Sequence, residues 1–214
     1  MSGSYLEMSR AMLSRLPFYY RTAKAYAREG KDTISSAQLA ENLGVDSAQV
    51  RRDVSSLGDF GRAGVGYSVP ALAAALEEIL GLRNTHEAVI VGMGRFGEAL
   101  MSLPAFSVCS INVVGAFDTN PEQVGNTVNG VRIRPASELG RIVKRLRVQL
   151  AVIAPQVEEP QNTADILVKA GVKAIWNFTN CSLKVPPDVL VRHEDLTAGL
   201  CHLSRHLAAP EVER

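Results

Sequence analysis

Ala88-Val89-Ile90-Val91-Gly92-Met93-Gly94-Arg95-Phe96-Gly97 is the stretch that decides the fold of most of this 214-residue chain. Its apolar first half is typical of a strand buried on both faces of a parallel sheet. The G-x-G-x-x-G that follows allows a tight turn, close approach of a pyrophosphate to the backbone, and close helix–strand packing. The first N–H groups of the helix expected after the loop also favour phosphates. The stretch therefore predicts a dinucleotide site built from Gly92, Met93, Gly94, Arg95, Phe96 and Gly97.

An acidic residue ends the next apolar segment. Residues 112–117 are predicted to form the second strand, and Asp118 follows about twenty residues after the last glycine. A carboxylate there accepts hydrogen bonds from the ribose hydroxyls of adenosine and repels a 2′-phosphate. No basic residue follows directly, so the pattern favours NAD(H) over NADP(H). The alternative is a strand-end aspartate with a purely structural role.

The sequence beyond Asp118 alternates between helix-like and strand-like segments. Helices are predicted over 136–145 and 160–170, and strands over 149–154 and 172–178. This alternation predicts an α/β domain with a doubly wound parallel sheet of the Rossmann type. Ala154, Pro155 and Asn177 fall at strand ends, where such sheets bind ligands. Ala154 and Pro155 are candidate neighbours of a nicotinamide, with ordinary loop positions as the alternative.

Two short helices with capping signals precede the first nucleotide-binding strand. Ser35-x-x-Gln38 has the spacing of a capping box, and the helix that it starts is expected to end at Gly44. Asp46-x-x-Gln49 has the same spacing and predicts a second helix through about Leu57. Two capped helices joined by a glycine turn predict a helix-turn-helix.

Two further helices flank this pair. Pro17 is expected to begin the first, because proline fits an initial helical turn, and Gly30 is expected to end it. The second runs from about Pro70 to Leu80. A polar junction then places the domain boundary between residues 84 and 85.

The outward face of the second capped helix is small, hydroxylated and basic. At about 100° per residue, Val50, Val54 and Leu57 share the side that faces the core. The candidate DNA-binding side chains on the other sides are Ser47, Arg51, Arg52, Ser55 and Ser56. Small residues allow close approach to a major groove, and arginine can bond to phosphates or guanine edges. An exposed helix that merely carries two arginines is the alternative.

A glycine-rich segment follows this helix. Residues 60–67 space three glycines around Arg62, as in the tip of a hairpin. A hairpin directly after a recognition helix is the arrangement of a winged helix, and Arg62 could reach a phosphate or the minor groove. An ordinary glycine-rich turn is the alternative. The helices and the hairpin together favour DNA.

Composition sets the remaining limits. The formal net charge of +1 first argues against nucleic acid, although residues 10–62 carry a modest basic excess. No apolar run approaches the roughly 18 residues that span a bilayer, and the N-terminus lacks a secretory profile, so we expect a cytoplasmic protein without a membrane partner. Cys109, Cys181 and Cys201 are odd in number and widely spaced. We expect reduced, mostly buried cysteines and no metal site.

Taken in order along the chain, these motifs resemble the Rex family of redox-sensing repressors. The resemblance lies in Arg15-Leu16-Pro17-Phe18-Tyr19-Tyr20-Arg21, Ser35-Ser36-x-x-Leu39, Val50-Arg51-Arg52-Asp53, Gly64-Val65-Gly66-Tyr67, Val91-Gly92-Met93-Gly94-Arg95-Phe96-Gly97 and Phe117-Asp118. It implies a homodimer in which NADH binding releases operator DNA, whereas NAD⁺ permits DNA binding. It also implies that the C-terminal helix is exchanged between subunits.

The end of the chain agrees with that implication. Leu196, Leu200, Leu203 and Leu207 recur at helical spacing, and Asp195 is placed to cap the helix. Such an apolar stripe must be buried against something, and a groove of the same chain is the alternative to a partner. The expected organisation is a winged-helix domain (1–84), a dinucleotide-binding domain (85–193) and an exchanged C-terminal helix (194–214). By resemblance, Arg21 and Asp195 form an inter-domain pair that is part of the switch.

Two positions depart from the family pattern. Relatives often carry a second basic residue in the wing where this chain has Ala63, and many place a tyrosine near the nicotinamide where this chain has Leu103. We therefore expect a weaker wing contact and a different reading of the nicotinamide ring than in those relatives.

An NAD-dependent dehydrogenase is the main rival, and it would need an acid–base residue beside the nicotinamide. None of His86, His193, His202 and His206 is expected after a sheet strand, so no catalytic residue is predicted. A repressor that binds another nucleotide or a sugar phosphate is the second rival, against which Asp118 argues.

Overall fold

The computed structural model describes residues 8–41, 43–62 and 64–208, apart from the side chains of Arg10 and Arg62. Ala63, which departs from the family pattern, lies outside these residues. The chain divides into two compact units, Met1–Asn84 and Thr85–Arg214.

The N-terminal unit is a small helical domain with a three-stranded antiparallel sheet. Its elements are α1 (Arg10–Arg28), β1 (Thr33–Ile34), α2 (Ser36–Ala40), α3 (Ser47–Leu57), β2 (Gly61–Arg62), β3 (Gly66–Ser68) and α4 (Val69–Ile79). The strand order is β1-β3-β2, so β2 and β3 form a hairpin directly after α3. Val50 and Val54 of α3 are buried in the core of the unit. This arrangement is the winged helix that the sequence predicts.

The first helix begins earlier than predicted. It starts at Arg10, where Ser9 caps it by accepting a hydrogen bond from the N–H of Met12 at 3.1 Å, and Pro17 lies inside it. Met12 and Leu16 are buried in the core, so apolar packing stabilises the turns before the proline. A proline in that position removes the hydrogen bond of its own N–H and crowds the carbonyl four residues earlier, a local cost that this packing offsets.

The capping signals are confirmed at α2 and only in part at α3. Ser35 and Gln38 form the complete capping box, although α2 ends at Ala40 rather than continuing to Gly44. At α3, Asp46 accepts from the N–H of Ala48. The prediction that Gln49 bonds back to the backbone of Asp46 is wrong. The side chain of Gln49 is instead directed to Asp53, to which it donates at 2.8 Å.

The C-terminal unit is the predicted doubly wound α/β fold. Its strands are β4 (His86–Val91), β5 (Ile111–Asp118), β6 (Thr127–Val128), β7 (Val131–Pro135), β8 (Leu150–Ile153), β9 (Ala174–Asn177) and β10 (Leu190–His193). Its helices are α5 (Arg95–Met101), α6 (Pro104–Val108), α7 (Leu139–Leu146), α8 (Pro160–Ala170) and α9 (Leu196–Ala208), with a 3₁₀ turn at Ala136–Glu138. The order is β10-β9-β8-β4-β5-β7-β6, parallel except for the β6–β7 pair. The sequence reasoning missed β6, β7, β10 and α6, which are short.

The last helix carries an exposed leucine stripe. Asp195 caps α9 as predicted, accepting from the N–H of Ala198 at 3.0 Å. The exposed fractions are 58% for Leu196, 67% for Leu200, 59% for Leu203 and 84% for Leu207. No part of the chain that the structure describes covers this stripe.

The expectation of mostly buried cysteines is wrong. Cys109 ends α6 at the surface, Cys201 lies on the exposed helix α9, and Cys181 is half-buried. Within the described ranges, no helix combines the length and the apolar character needed to cross a membrane.

Candidate functional site

The glycine loop between β4 and α5 brings two backbone segments into very close contact. Gly92 has a φ of +90°, a left-handed conformation that favours glycine. A Cβ on Gly97 would lie 2.0 Å from the carbonyl oxygen of Gly92, a separation that no side chain can tolerate. The first and third glycines therefore serve the turn and the helix–strand contact, as predicted from their spacing.

Asp118 anchors this loop from the end of the neighbouring strand. Its carboxylate, in a residue only 8% exposed, accepts from the N–H of Met93 at 2.5 Å and from the N–H of Asn120 at 2.7 Å. Each bond uses a different carboxylate oxygen, so each oxygen keeps a further lone pair. Asp118 can thus hold the loop and still accept from a hydroxyl in the cleft.

A cleft of about 450 Å³ opens beside Asp118 at the carboxyl ends of β4, β5 and β8. Its lining comprises Val91, Gly92, Asp118, Thr119, Ala136, Ser137, Leu139, Gln156, Val157, Glu158, Glu159, Asn162, Thr163 and Ile166. Leu139, Val157 and Ile166 supply an apolar wall that suits a flat ring, next to a carboxylate that suits hydroxyls. Sequence reasoning found only Gly92 and Asp118 among these residues. Val91 ends β4 directly before the loop. The others follow strands β5, β7 and β8 or lie on helices, and only the general rule about strand ends pointed to them.

The other predicted nucleotide residues play different parts around the loop. The side chain of Met93 is fully buried, and its backbone N–H makes the contact with Asp118. Phe96 packs edge-to-face on Phe178, with ring centroids 5.2 Å apart. Gly94 and Arg95 begin α5, and Arg95 is exposed. Ala154 is buried directly after β8, whereas Pro155 is exposed.

A polar cluster ends the last two strands. The Oδ1 of Asn177 accepts from the N–H of Thr179 at 3.0 Å, and this fixes its Nδ2 toward the Nδ1 of His193, also at 3.0 Å. His193 is the final residue of β10 and pairs in register with Asn177. The sequence placed His193 only near the last helix, because β10 was not predicted; the structure places it at the end of that strand.

Hydrogen bonds hold the side chains on the predicted DNA-binding side of α3. Nη1 of Arg51 donates to Ser36 at 3.2 Å and to Ser47 at 3.3 Å, which ties α3 to α2. Arg52 is exposed and donates to Gln49 at 2.7 Å.

The two candidate serines near the end of α3 differ in their contacts. Ser55 is exposed and lines a groove beside the hairpin. The hydroxyl of Ser56 donates to the carbonyl of Asp53 at 2.7 Å and lies 3.7 Å from the sulfur of Met12 in α1. Ser56 is thus directed toward α1, away from that groove.

The groove lies between the helices and the hairpin and has a volume of about 450 Å³. Its lining comprises Ser35, Ser36, Arg51, Ser55, Gly58, Asp59, Phe60, Gly61, Gly64, Val65, Gly66 and Tyr67. The structure thus brings Arg51 and Ser55 together with the hairpin, and it adds Ser35, Ser36 and Tyr67 to the candidates. The backbone of Arg62 lies in β2, but its side chain lies outside the description.

A buried carboxylate that sequence reasoning missed fixes α3 on α1. Asp53 is 4% exposed and forms a two-pronged ion pair with Arg15, Nε to Oδ2 at 2.7 Å and Nη2 to Oδ1 at 2.9 Å. Burial acts to raise the pKa of Asp53, but hydrogen bonds from Arg15, Tyr19 and Gln49 outweigh it and hold the pKa below its ordinary value of 3.8. The ion pair therefore fixes the position of α3 on α1.

The two predicted switch residues are engaged within their own units. The guanidinium of Arg21 lies 4.5 Å from the ring centroid of Phe18, and Asp195 caps α9. Their pairing stays a prediction. No three His, Cys, Asp or Glu side chains within the described ranges lie close enough together to hold a metal ion.

Comparison with known proteins matches both units. Residues 7–55 match the family described as "Putative DNA-binding protein N-terminus", and residues 83–181 match the family described as "CoA binding domain". The chain is 39% identical over 206 residues to the protein named redox-sensing transcriptional repressor Rex of Desulforamulus reducens, covering 96% of this chain and 98% of that one. It is 40% identical over 194 residues to the Rex of Carboxydothermus hydrogenoformans, with 91% and 93% covered.

Solved structures agree with these relatives. The crystal structure of RSP in complex with β-NAD⁺ and operator DNA is similar with a TM-score of 0.85 and 35% identity, covering 94% of this chain and 92% of that one. RSP in complex with β-NADH gives a TM-score of 0.81 and 33% identity, with 94% of each chain covered. The relatives are named as transcriptional repressors, which agrees with the prediction of a repressor. The chain therefore belongs to the Rex family of redox-sensing transcriptional repressors.

Proposed function

We propose that this chain represses transcription by binding operator DNA, and that NADH releases the operator whereas NAD⁺ permits binding. The observation that carries the proposal is the position of Asp118, which anchors the glycine loop at the mouth of an open cleft. The chain combines this cleft with a winged helix. RSP, which shares both units, has been crystallised with β-NADH and with β-NAD⁺ plus operator DNA.

NAD(H) is the nucleotide that fits the cleft best. Asp118 would accept hydrogen bonds from the adenosine ribose and repel a 2′-phosphate. The diphosphate would pass over Gly92 and Gly94, with the neighbouring loop residues Met93, Arg95, Phe96 and Gly97 setting the backbone path. Ala154 and Pro155 would border the nicotinamide.

The winged helix would bind duplex DNA. Ser47, Arg51, Arg52 and Ser55 of α3 would face the major groove, and Arg62 would contact a phosphate or the minor groove. We expect Ser56 to contribute least, because its hydroxyl is already bonded to the carbonyl of Asp53.

We further propose a cytoplasmic homodimer that exchanges α9. The winged-helix domain would occupy residues 1–84, the dinucleotide-binding domain 85–193, and the exchanged segment 194–214. The exposed leucine stripe supports this proposal, since a partner subunit would remove it from water. An Arg21–Asp195 ion pair that forms in only one of two conformations would stabilise that conformation. Nucleotide binding could then shift the equilibrium between the two.

The test begins by selecting the preferred DNA from a random pool and then titrating NADH against the protein–DNA complex at constant NAD⁺. Linkage requires NADH to weaken DNA binding by the same factor by which DNA weakens NADH binding. We expect release by NADH and none by NADPH. DNA binding indifferent to both nucleotides would overturn the proposed signal, and the absence of specific DNA binding would overturn the proposed function.

Two variants connect this result to the structure. Asp118→Asn should weaken NADH binding, because the carboxylate that accepts from the ribose hydroxyls is lost. It should also reduce the preference for NADH over NADPH, because the charge that repels the 2′-phosphate is lost. Arg51→Ala should weaken DNA binding at every salt concentration and leave NADH binding unchanged. Arg132→Ala, which removes an exposed arginine from the other unit, is the matched control.

A further inference from the structure

We infer that Gln156 sets the affinity of the nucleotide cleft by occupying the place against Gly94 that a diphosphate needs. The inference rests on the proposed function, since it concerns the same cleft. Nothing in the sequence patterns singled out Gln156, which follows the predicted strand end at Ala154 and Pro155.

The carboxamide of Gln156 lies on the glycine loop instead of extending into solvent. Its Nε2 donates to the carbonyl oxygen of Gly92 at 3.0 Å. The same nitrogen lies 3.0 Å from the position that a Cβ on Gly94 would take, and the Cδ lies 3.5 Å from it. The carboxamide therefore covers the bare face of Gly94.

That face has a specific use in a dinucleotide-binding loop. The second glycine lacks a side chain so that the pyrophosphate can approach the backbone. An amide nitrogen 3.0 Å from that Cβ position fills the space over Gly94 that a phosphate oxygen would need. Gln156 and a diphosphate thus exclude one another.

A turn after β8 brings Gln156 to this position. The N–H of Val157 donates to the carbonyl of Ala154 at 3.2 Å, which folds the chain back toward the loop. Gln156 is exposed at the cleft edge, so its carboxamide can move into water once the bond to Gly92 breaks. Displacement then costs the net contribution of one hydrogen bond, equivalent to about a two- to tenfold change in Kd.

The experiment measures binding of NADH, ADP and adenosine to the full chain by calorimetry. ADP carries adenosine and a diphosphate, whereas adenosine carries no phosphate. Gln156→Ala should bind NADH and ADP about two- to tenfold more tightly and adenosine no differently. Gln156→Asn keeps the carboxamide but is one methylene too short to reach Gly92, so it should act in the same direction. Gln149→Ala, an exposed glutamine at the opposite end of β8, is the matched control and should change nothing.

The outcomes separate this inference from the proposed function. If the unaltered chain binds NADH but the Gln156 variants bind it equally or more weakly, the inference is overturned, and a weaker binding would make the carboxamide a phosphate donor. An equal gain for adenosine would also overturn it, because the effect would not lie at the diphosphate. If the unaltered chain binds neither NADH nor ADP, the proposed function fails and the inference fails with it.

Discussion

The hydroxyl of Tyr19 donates to the carboxylate of Asp53 at 2.8 Å, and this bond links α1 to the recognition helix inside the N-terminal core. Both residues are buried, and Arg15 and Gln49 complete the shell of donors around the carboxylate. Burial and the nearby carboxylate raise the pKa of Tyr19 from 10.0 to about 12. The phenol therefore stays protonated in the folded domain at pH values where it would ionise in the unfolded chain.

The first prediction concerns alkaline pH. A raised folded-state pKa stabilises the fold fully below pH 10, and this contribution is lost as pH rises toward about 12. Tyr19→Phe should lower the free energy of unfolding at pH 7 by about 1.5 to 3 kcal/mol, because a hydrogen bond to a charged group is lost. The free energies of unfolding of the two proteins, measured by urea unfolding followed by circular dichroism, should converge between pH 10 and 12. Tyr26→Phe is the control, and parallel pH curves for Tyr19→Phe and the unaltered chain would contradict the assignment.

The second prediction removes the charge of Asp53. Asp53→Asn leaves the Arg15 guanidinium without its buried partner, and we expect the N-terminal unit to lose on the order of 3 kcal/mol of stability. DNA binding should weaken further than stability alone explains, because the angle of α3 on α1 is no longer fixed. Urea unfolding and DNA titration measure the two effects. Asp59→Asn, an exposed aspartate in the same unit, should change stability by no more than about 0.5 kcal/mol.

The third prediction tests the contact between Gly97 and Gly92. Gly97→Ala forces a Cβ against a backbone oxygen that cannot move without displacing the loop. The nucleotide-binding unit should lose about 3 kcal/mol or more, and NADH binding should disappear. Gly199→Ala, where the added Cβ meets open space on α9, should keep NADH binding. Retention of NADH binding by Gly97→Ala would show that the loop is not held as described.

The fourth prediction concerns α9. Leu200→Glu with Leu203→Glu places two charges in the exposed stripe, which in a dimer would lie buried and unpaired. We expect a monomer in analytical ultracentrifugation. Leu146→Glu, on the exposed side of α7, should leave the association state unchanged. A dimer that survives the double substitution would show that α9 is not its interface.

Local signals made the nucleotide loop and the recognition helix predictable. The glycine spacing at 92–97 and the caps at Ser35 and Asp46 act over a few residues, and each lies close to the element that it defines. Asp53 could not be interpreted in this way, because its partner Arg15 lies 38 positions earlier in the sequence. The sequence alone does not distinguish Asp53 from an exposed aspartate.

Two predictions from the sequence, the start of α1 and the position of His193, were wrong for similar reasons. Pro17 has the signature of a helix start, and only the packing of Leu16 in the core shows that the helix continues through it. Strand β10 is four residues long and three of its residues are exposed, so it lacks the apolar run that identified β4. For that reason the sequence did not place His193 at the end of a strand.

Asp118 also limits how this protein could evolve. Its carboxylate accepts hydrogen bonds from the backbone of Met93 and Asn120, so the residue that is proposed to exclude a 2′-phosphate also shapes the loop that holds the nucleotide. A basic side chain here would leave the N–H groups of Met93 and Asn120 without their acceptor, and an amide would keep only one acceptor oxygen for the two. A change of cofactor preference at this position would therefore also loosen the glycine loop, and a compensating substitution elsewhere would be needed to restore it.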